Sequence, residues 1–129
     1  MFSSEEGARI SAQTVIQPLA LIGENNPGFP QAHKHFCEAY SSHELKQFSK
    51  ALELYGKASA ACPKMYESHY NSGLCYEQLG KLQDAVSAFE EAAARNPLFR
   101  PVFLHLADLY DKLGDKQRAD TNRAAYSML

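Results

Sequence analysis

The sequence has no tryptophan, no long apolar run and no large excess of charge of either sign. A net charge of −2 leaves no broad basic face of the kind that binds nucleic acid or an anionic membrane. No apolar run approaches the roughly 18 residues that a helix needs to cross a bilayer. The first residues, MFSSEEGARIS, are acidic where a signal peptide is basic. Unless a targeting segment lies outside these residues, we expect a soluble cytoplasmic protein that neither binds nucleic acid nor inserts into a membrane.

Cysteine is also scarce. Cys37, Cys62 and Cys75 form an odd set without a C-x-x-C pair, which argues against a disulfide framework and fits reduced thiols. The cysteines and the five histidines lack the paired spacing of zinc ligands, so small thiols packed between helices are the expected role. A cysteine–histidine nucleophile pair has no glycine turn that would bind an oxyanion. We therefore expect no metal, no cofactor and no enzymatic activity.

Helical periodicity is what the sequence does contain. The composition is that of an ordinary globular domain, with 45% hydrophobic and 22% charged residues. Apolar residues recur at helical spacing, and no segment alternates with a period of two, so the predicted fold class is all-α with about seven helices. Pro18 falls inside the first of them and predicts a kink there. The predicted helices cover residues 7–23, 30–43, 45–62, 66–79, 82–95, 101–113 and 115–128.

A sequence repeat joins these helices into pairs. Gly80 and Gly114, which end the first helices of two pairs, lie 34 apart. The same spacing separates Tyr76 from Tyr110, Ala85 from Ala119, Pro63 from Pro97, Gly73 from Ala107, Ala51 from Ala85 and Ala58 from Ala92. This period, with fixed small and aromatic positions, resembles the tetratricopeptide repeat. The residues that match the motif best are Gly73, Tyr76, Gly80, Ala85, Phe89, Ala92 and Pro97.

The resemblance implies a right-handed α-solenoid of antiparallel helix pairs. Three repeats are expected at residues 30–65, 66–99 and 100–129, the last without a separate capping helix. Residues 1–29 would form a loop and an N-terminal helix, the second half of a degenerate fourth repeat. The first repeat is predicted to be longer than the others by two, because Pro27 and Pro63 lie 36 apart. Its extra pair of residues is placed in a turn at residues 41–44.

The resemblance also implies a function, which is to bind a peptide or helix of a protein partner in the concave groove of the solenoid. Asn71 is the most specific candidate, since its amide both donates to and accepts from a peptide backbone. The alternative is that Asn71 bonds a neighbouring helix. The predicted lining comprises Lys34, His35, Glu38, Tyr70, Asn71, Leu74, Glu77, Gln78, Leu104, His105 and Asp108.

Some members of the family grip a C-terminal carboxylate with cationic and amide side chains. Lys34 and Asn71 match two positions of that clamp, but Glu38, Pro101 and His105 replace its other residues. Without an arginine there is no bidentate grip on a carboxylate, so this function is not predicted.

A second hypothesis is a structural element that forms homo-oligomers through its terminal helices. The predicted helix 115–128 ends the solenoid, and an uncovered apolar side would favour self-association. Asp120, Asn122 and Arg123 give that helix a partly polar outer face, which would instead let it end the array alone.

Overall fold

The computed structural model describes residues 12, 14–19 and 27–129. Within these residues the regular structure is entirely helical. Six helices follow one another: α1 Phe29–Glu44, α2 Phe48–Ala61, α3 Tyr66–Gln78, α4 Leu82–Arg95, α5 Pro101–Lys112 and α6 Lys116–Met128. They pack as three consecutive pairs, α1 with α2, α3 with α4 and α5 with α6, and each pair stacks on the next.

The turns inside the pairs follow the period of the sequence repeat. Gly80 and Gly114 have positive φ values of 73° and 81°, which glycine adopts without steric cost. Lys46 occupies the equivalent position of the first pair, one period before Gly80, with a φ of 60°. A non-glycine residue in this region carries conformational strain, so the first pair closes at a less favourable turn than the other two.

The two extra residues of the first repeat do not lie where the sequence placed them. Residues 41–44 are helical, so the predicted turn there is wrong. Since Lys46, Gly80 and Gly114 keep the regular spacing of the repeat, the extra length lies before the turn. Helix α1 has 16 residues, against 13 in α3 and 12 in α5, and it starts closer to its preceding proline.

The predicted N-terminal helix is wrong over residues 14–19, which form no helix. Pro18 gives the physical reason. Its ring clashes with the preceding helical turn, and it also restrains Gln17 to the extended region of the backbone. The remainder of the predicted helix 7–23, apart from Ala12, lies outside the described residues.

Two clusters of buried side chains form the core. The first joins α1, α2 and one face of α3, and the second joins α3 to α6. Gly73 lies where α3 crosses α4 closely, and a Cβ atom placed on it would come within 2.6 Å of the Phe89 ring. This small residue is therefore what lets the central pair approach, as the repeat pattern indicates.

The last helix presents a polar outer face. Ala119 is its buried residue, whereas Lys116, Gln117, Asp120 and Thr121 are exposed. Arg100 holds the end of α6 in place, because its guanidinium stacks 3.9 Å from the Tyr126 ring centroid and donates to the Tyr126 carbonyl. No helix in the described part of the chain is long and apolar enough to span a membrane.

Candidate peptide-binding groove

Asn71 of α3 holds the backbone of a distant part of the chain. Its side chain is fully buried. The Gln17 N–H donates to Asn71 Oδ1 at 2.8 Å, and Asn71 Nδ2 donates to the Gln17 carbonyl oxygen at 3.0 Å. A residue whose N–H and C=O both point to the same side is in an extended conformation. The Asn71 amide therefore binds residue 17 as one strand of a sheet binds another.

The side chain of residue 17 takes no part in this pair of hydrogen bonds. Only main-chain atoms of Gln17 meet Asn71, so the contact is independent of residue type at that position. Pro18 follows, and the residue before a proline is held in the extended region. The proline thus favours the conformation that the Asn71 amide binds.

Two buried residues orient the Asn71 amide. Tyr55 of α2 is fully buried, and its hydroxyl lies 3.0 Å from His43 Nδ1 of α1. Burial raises the pKa of Tyr55, and a side-chain hydrogen bond with Asn71 acts in the opposite direction. Burial lowers the pKa of His43 to about 4, so its ring is neutral at pH 7.

These protonation states define one consistent hydrogen-bond pattern. The neutral His43 ring accepts from the Tyr55 O–H, which leaves the Tyr55 oxygen able to accept from the Asn71 side chain. The Asn71 carbonyl oxygen is then left to accept from residue 17. The chain of side chains through α1, α2 and α3 thereby determines which end of the amide faces the peptide N–H.

A side-chain anchor lies two residues beyond Gln17. Leu19 is half-buried and packs against the first core cluster, which contains Phe36 of α1. In contrast, Val15 is 57% exposed and Pro18 is exposed. The segment Thr14–Leu19, called the N-terminal segment below, is therefore held by a backbone clamp at residue 17 and an aliphatic side chain at residue 19.

The predicted groove residues fall into three groups by exposure. Asn71 contacts the N-terminal segment directly. Exposed residues are Lys34, Glu38 and Gln78; partly exposed residues are His35, Glu77 and Asp108; buried residues are Tyr70, Asn71, Leu74, Leu104 and His105.

Two of the buried residues, Tyr70 and His105, belong to the aromatic packing around Phe89. The Tyr70 ring meets the Phe89 and Phe99 rings edge-on, with centroids 5.4 and 4.9 Å away. His105 stacks on Phe89 at 4.8 Å, and its Nδ1 lies 2.9 Å from Glu77 Oε1. Because His105 is only 2% exposed and already paired, it belongs to the packing between α3, α4 and α5.

The sequence did not reveal the support that His43 and Tyr55 give to Asn71, or the partner residue Gln17. The period of the repeat marks small and aromatic positions, and a buried histidine has no such signature. Pro18 was the one available signal, because a proline within a predicted helix also favours an extended segment.

Two of the three cysteines are buried, and the prediction that the thiols pack between helices is wrong for the third, Cys37. Cys62 and Cys75 are buried and Cys37 is exposed, all three as free thiols. Burial raises the pKa of Cys75 to about 12, which keeps it protonated and unreactive at neutral pH. Across residues 14–19 and 27–129, no three histidine, cysteine or acidic side chains are grouped as a metal site requires.

Comparison with known proteins identifies the repeat. The family model described as tetratricopeptide repeat matches residues 44–98 and 78–127. The chain belongs to the tetratricopeptide repeat family. Its three helix pairs are accordingly a right-handed α-solenoid, and proteins of this family generally act as non-enzymatic interaction modules. No curated protein sequence matches the chain significantly.

Solved tetratricopeptide structures share the fold at low sequence identity. The second TPR of Spaghetti (RPAP3), bound to the HSP90 peptide SRMEEVD, superposes with a TM-score of 0.75 at 17% identity, over 82% of this chain and 98% of that one. MamA gives 0.74 at 17% identity, over 76% of this chain and 57% of its own. The Yersinia enterocolitica type III secretion translocator chaperone SycD, in an alternative dimer, gives 0.69 at 13% identity, with 75% and 74% covered.

Proposed function

We propose that this protein is a non-enzymatic interaction module that binds an extended peptide of a partner protein in the concave groove, with Asn71 as the backbone clamp. The observation that carries the proposal is the pair of hydrogen bonds between the buried Asn71 amide and both main-chain groups of Gln17. A side chain that binds the N–H and C=O of one residue is suited to any extended peptide.

Burial makes this clamp effective. A buried amide whose hydrogen bonds are unmade costs about 1–3 kcal/mol, so the Asn71 amide favours the bound state of any backbone that satisfies it. Orientation by Tyr55 and His43 lowers the entropy lost on binding, because the amide is held in place before a peptide arrives.

The relatives support a peptide ligand but differ in its chemistry. RPAP3 is bound to an HSP90 peptide that ends in acidic residues and a carboxylate. Here His105 is buried against Glu77, Glu38 is acidic and Pro101 has no charge. Since no arginine or lysine stands at these three positions, we propose that the groove binds an internal extended stretch of its partner rather than a C-terminal carboxylate.

A library of extended heptapeptides, displayed on phage and selected against the full chain, tests this function. Peptides enriched by the protein are expected to bind Asn71→Ala at least about tenfold more weakly in fluorescence polarisation, since two hydrogen bonds are lost. Asn71→Asp, which keeps the shape but lacks the donor, should lose affinity similarly.

Gln78→Ala is the matched control, because Gln78 is exposed on the same helix. It should bind the enriched peptides as the unmodified protein does. Circular dichroism verifies that each variant keeps its helicity. Folded Asn71 variants that bind every enriched peptide with unchanged affinity would place the site elsewhere on the solenoid.

A further inference from the structure

A segment of the same chain occupies the Asn71 amide. Resting on the proposed function, we propose that the N-terminal segment Thr14–Leu19 is an intramolecular occupant of the groove. We further propose that the partner it competes with is an uncharged extended peptide of the same chemistry. That chemistry is a residue clamped by Asn71, a proline directly after it and an aliphatic residue after the proline.

Competition follows from the atoms involved. Asn71 Oδ1 accepts from the Gln17 N–H, and Asn71 Nδ2 donates to the Gln17 carbonyl. Because its oxygen and an Nδ2 proton are both engaged by Gln17, the amide cannot offer the same pair of hydrogen bonds to a second backbone. A partner peptide therefore binds Asn71 only after residue 17 has left.

Proline after the clamped residue is a recognition feature in its own right. Pro18 is exposed, so its ring contributes little buried surface. Its effect is on Gln17, which it restrains to extended conformations before binding. A peptide with proline at this place loses less entropy when the Asn71 amide binds it than a peptide with any other residue there.

The aliphatic anchor explains where the segment lies along the solenoid. Leu19 packs on the first core cluster, next to α1 and α2, while Asn71 belongs to α3. The segment thus bridges the first and second repeats. An aliphatic side chain two residues after the clamp is what the same surface would accept from a partner.

Charge favours an uncharged ligand. The N-terminal segment, TVIQPL, carries no charged side chain. On the same helix as Asn71, Glu67 is buried and Glu77 contacts His105. A charged peptide residue beside the clamp would therefore lose hydration without meeting a fully exposed acidic partner on α3.

The segment is held weakly enough to be displaced. Its described anchors are two hydrogen bonds and two half-buried aliphatic side chains, Ile16 and Leu19, and its attachment to the same chain adds an effective concentration. A peptide binding in trans must overcome this occupancy, and its apparent affinity falls by the fraction of chains whose groove is open.

Direct titration with the segment as a free peptide tests the proposal. The probe is fluorescein-labelled, amidated TVIQPL, added to the full chain, to Leu19→Asp and to Val15→Asp. Leu19→Asp removes the aliphatic anchor of the tethered segment, so we expect it to bind the probe about tenfold more tightly than the unmodified chain if the segment fills nine grooves in ten. Val15→Asp introduces the same charge at a 57% exposed position and should bind as the unmodified chain does.

Two controls connect the binding to the clamp. Adding Asn71→Ala to Leu19→Asp should abolish probe binding. A probe methylated on the backbone nitrogen of its glutamine lacks the N–H that donates to Asn71 Oδ1, and it should fail to bind in the same way. If Leu19→Asp loses helicity, Pro18→Gly replaces it, since glycine at an exposed position releases the restraint on Gln17 without removing a buried contact.

Each other outcome contradicts a distinct part of the proposal. Equal probe affinity for Leu19→Asp and the unmodified chain means that the segment does not compete. No probe binding, alongside library peptides that need Asn71, refutes the ligand chemistry and leaves the proposed function standing. Probe binding that survives Asn71→Ala refutes both. A dimer in light scattering that Leu19→Asp dissolves assigns the segment to a second copy of the chain.

Discussion

Replacing Gly73 with leucine is expected to lower the free energy of unfolding by about 3 kcal/mol or more, at the upper end of overpacking effects. A Cβ atom at this position meets three atoms of the Phe89 ring between 2.6 and 2.8 Å away. Phe89 is fully buried between the rings of Tyr70 and His105, so it has no free space to move into. The helices α3 and α4 must separate instead. Urea unfolding followed by circular dichroism measures the loss.

Gly56→Leu is the matched control for this substitution. Gly56 is exposed in α2, and a Cβ atom there meets nothing within 4 Å. Leucine is a better helix former than glycine, so the control is expected to be neutral or to stabilise the protein by up to about 1 kcal/mol. Equal unfolding energies for Gly73→Leu and the unmodified chain would mean that α3 and α4 do not pack closely at Gly73.

Acid should destabilise the protein through His43, by about 2–3 kcal/mol between pH 7 and pH 4.5. Burial lowers the pKa of this histidine from 6.5 to about 4 in the folded state. Above pH 6.5 neither state is protonated, and the stability is complete. As the pH falls from 6.5 towards 4, His43 becomes protonated in the unfolded chain but not in the folded chain, so the free energy of unfolding decreases. Urea unfolding at several pH values measures it.

His43→Gln isolates this contribution. Glutamine does not titrate, and its carbonyl oxygen still accepts from the Tyr55 hydroxyl that His43 faces. Burial also lowers the pKa of His69, but that effect is present in both proteins and cancels in the difference. The variant should therefore be less sensitive to acid by about 2–3 kcal/mol over the same range. Parallel pH profiles would show that His43 is protonated in the folded protein.

Most of the fold could be predicted from the sequence, because the same small and aromatic residues recur at the same positions of successive repeats. The spacing of Gly80 and Gly114 predicted both turns, and the structure shows a positive φ at each. Helix α4 has the predicted bounds, Leu82–Arg95. Lys46 shows the limit of the pattern, because a lysine gives no sequence signal for a left-handed turn. For this reason the two extra residues of the first repeat were predicted in the wrong place.

Only part of the candidate site could be predicted from the sequence. Asn71 was the leading candidate for contact with a peptide backbone, and it contacts one, that of Gln17. Periodicity could not show that the backbone belongs to the same chain. Nor could it show that His105, expected to line the groove, is buried against Phe89. Both facts depend on contacts between residues far apart in the sequence.

By itself, the sequence determined the family, the helix pairs and the small residues where helices cross, because these depend on local spacing within a single repeat. The tertiary structure decided where residues 14–19 lie. Pro18 opposes the helix that periodicity predicts over these residues, but it does not specify a partner for them. That partner is the Asn71 amide, far along the chain, whose hydrogen bonds to Gln17 favour the extended conformation.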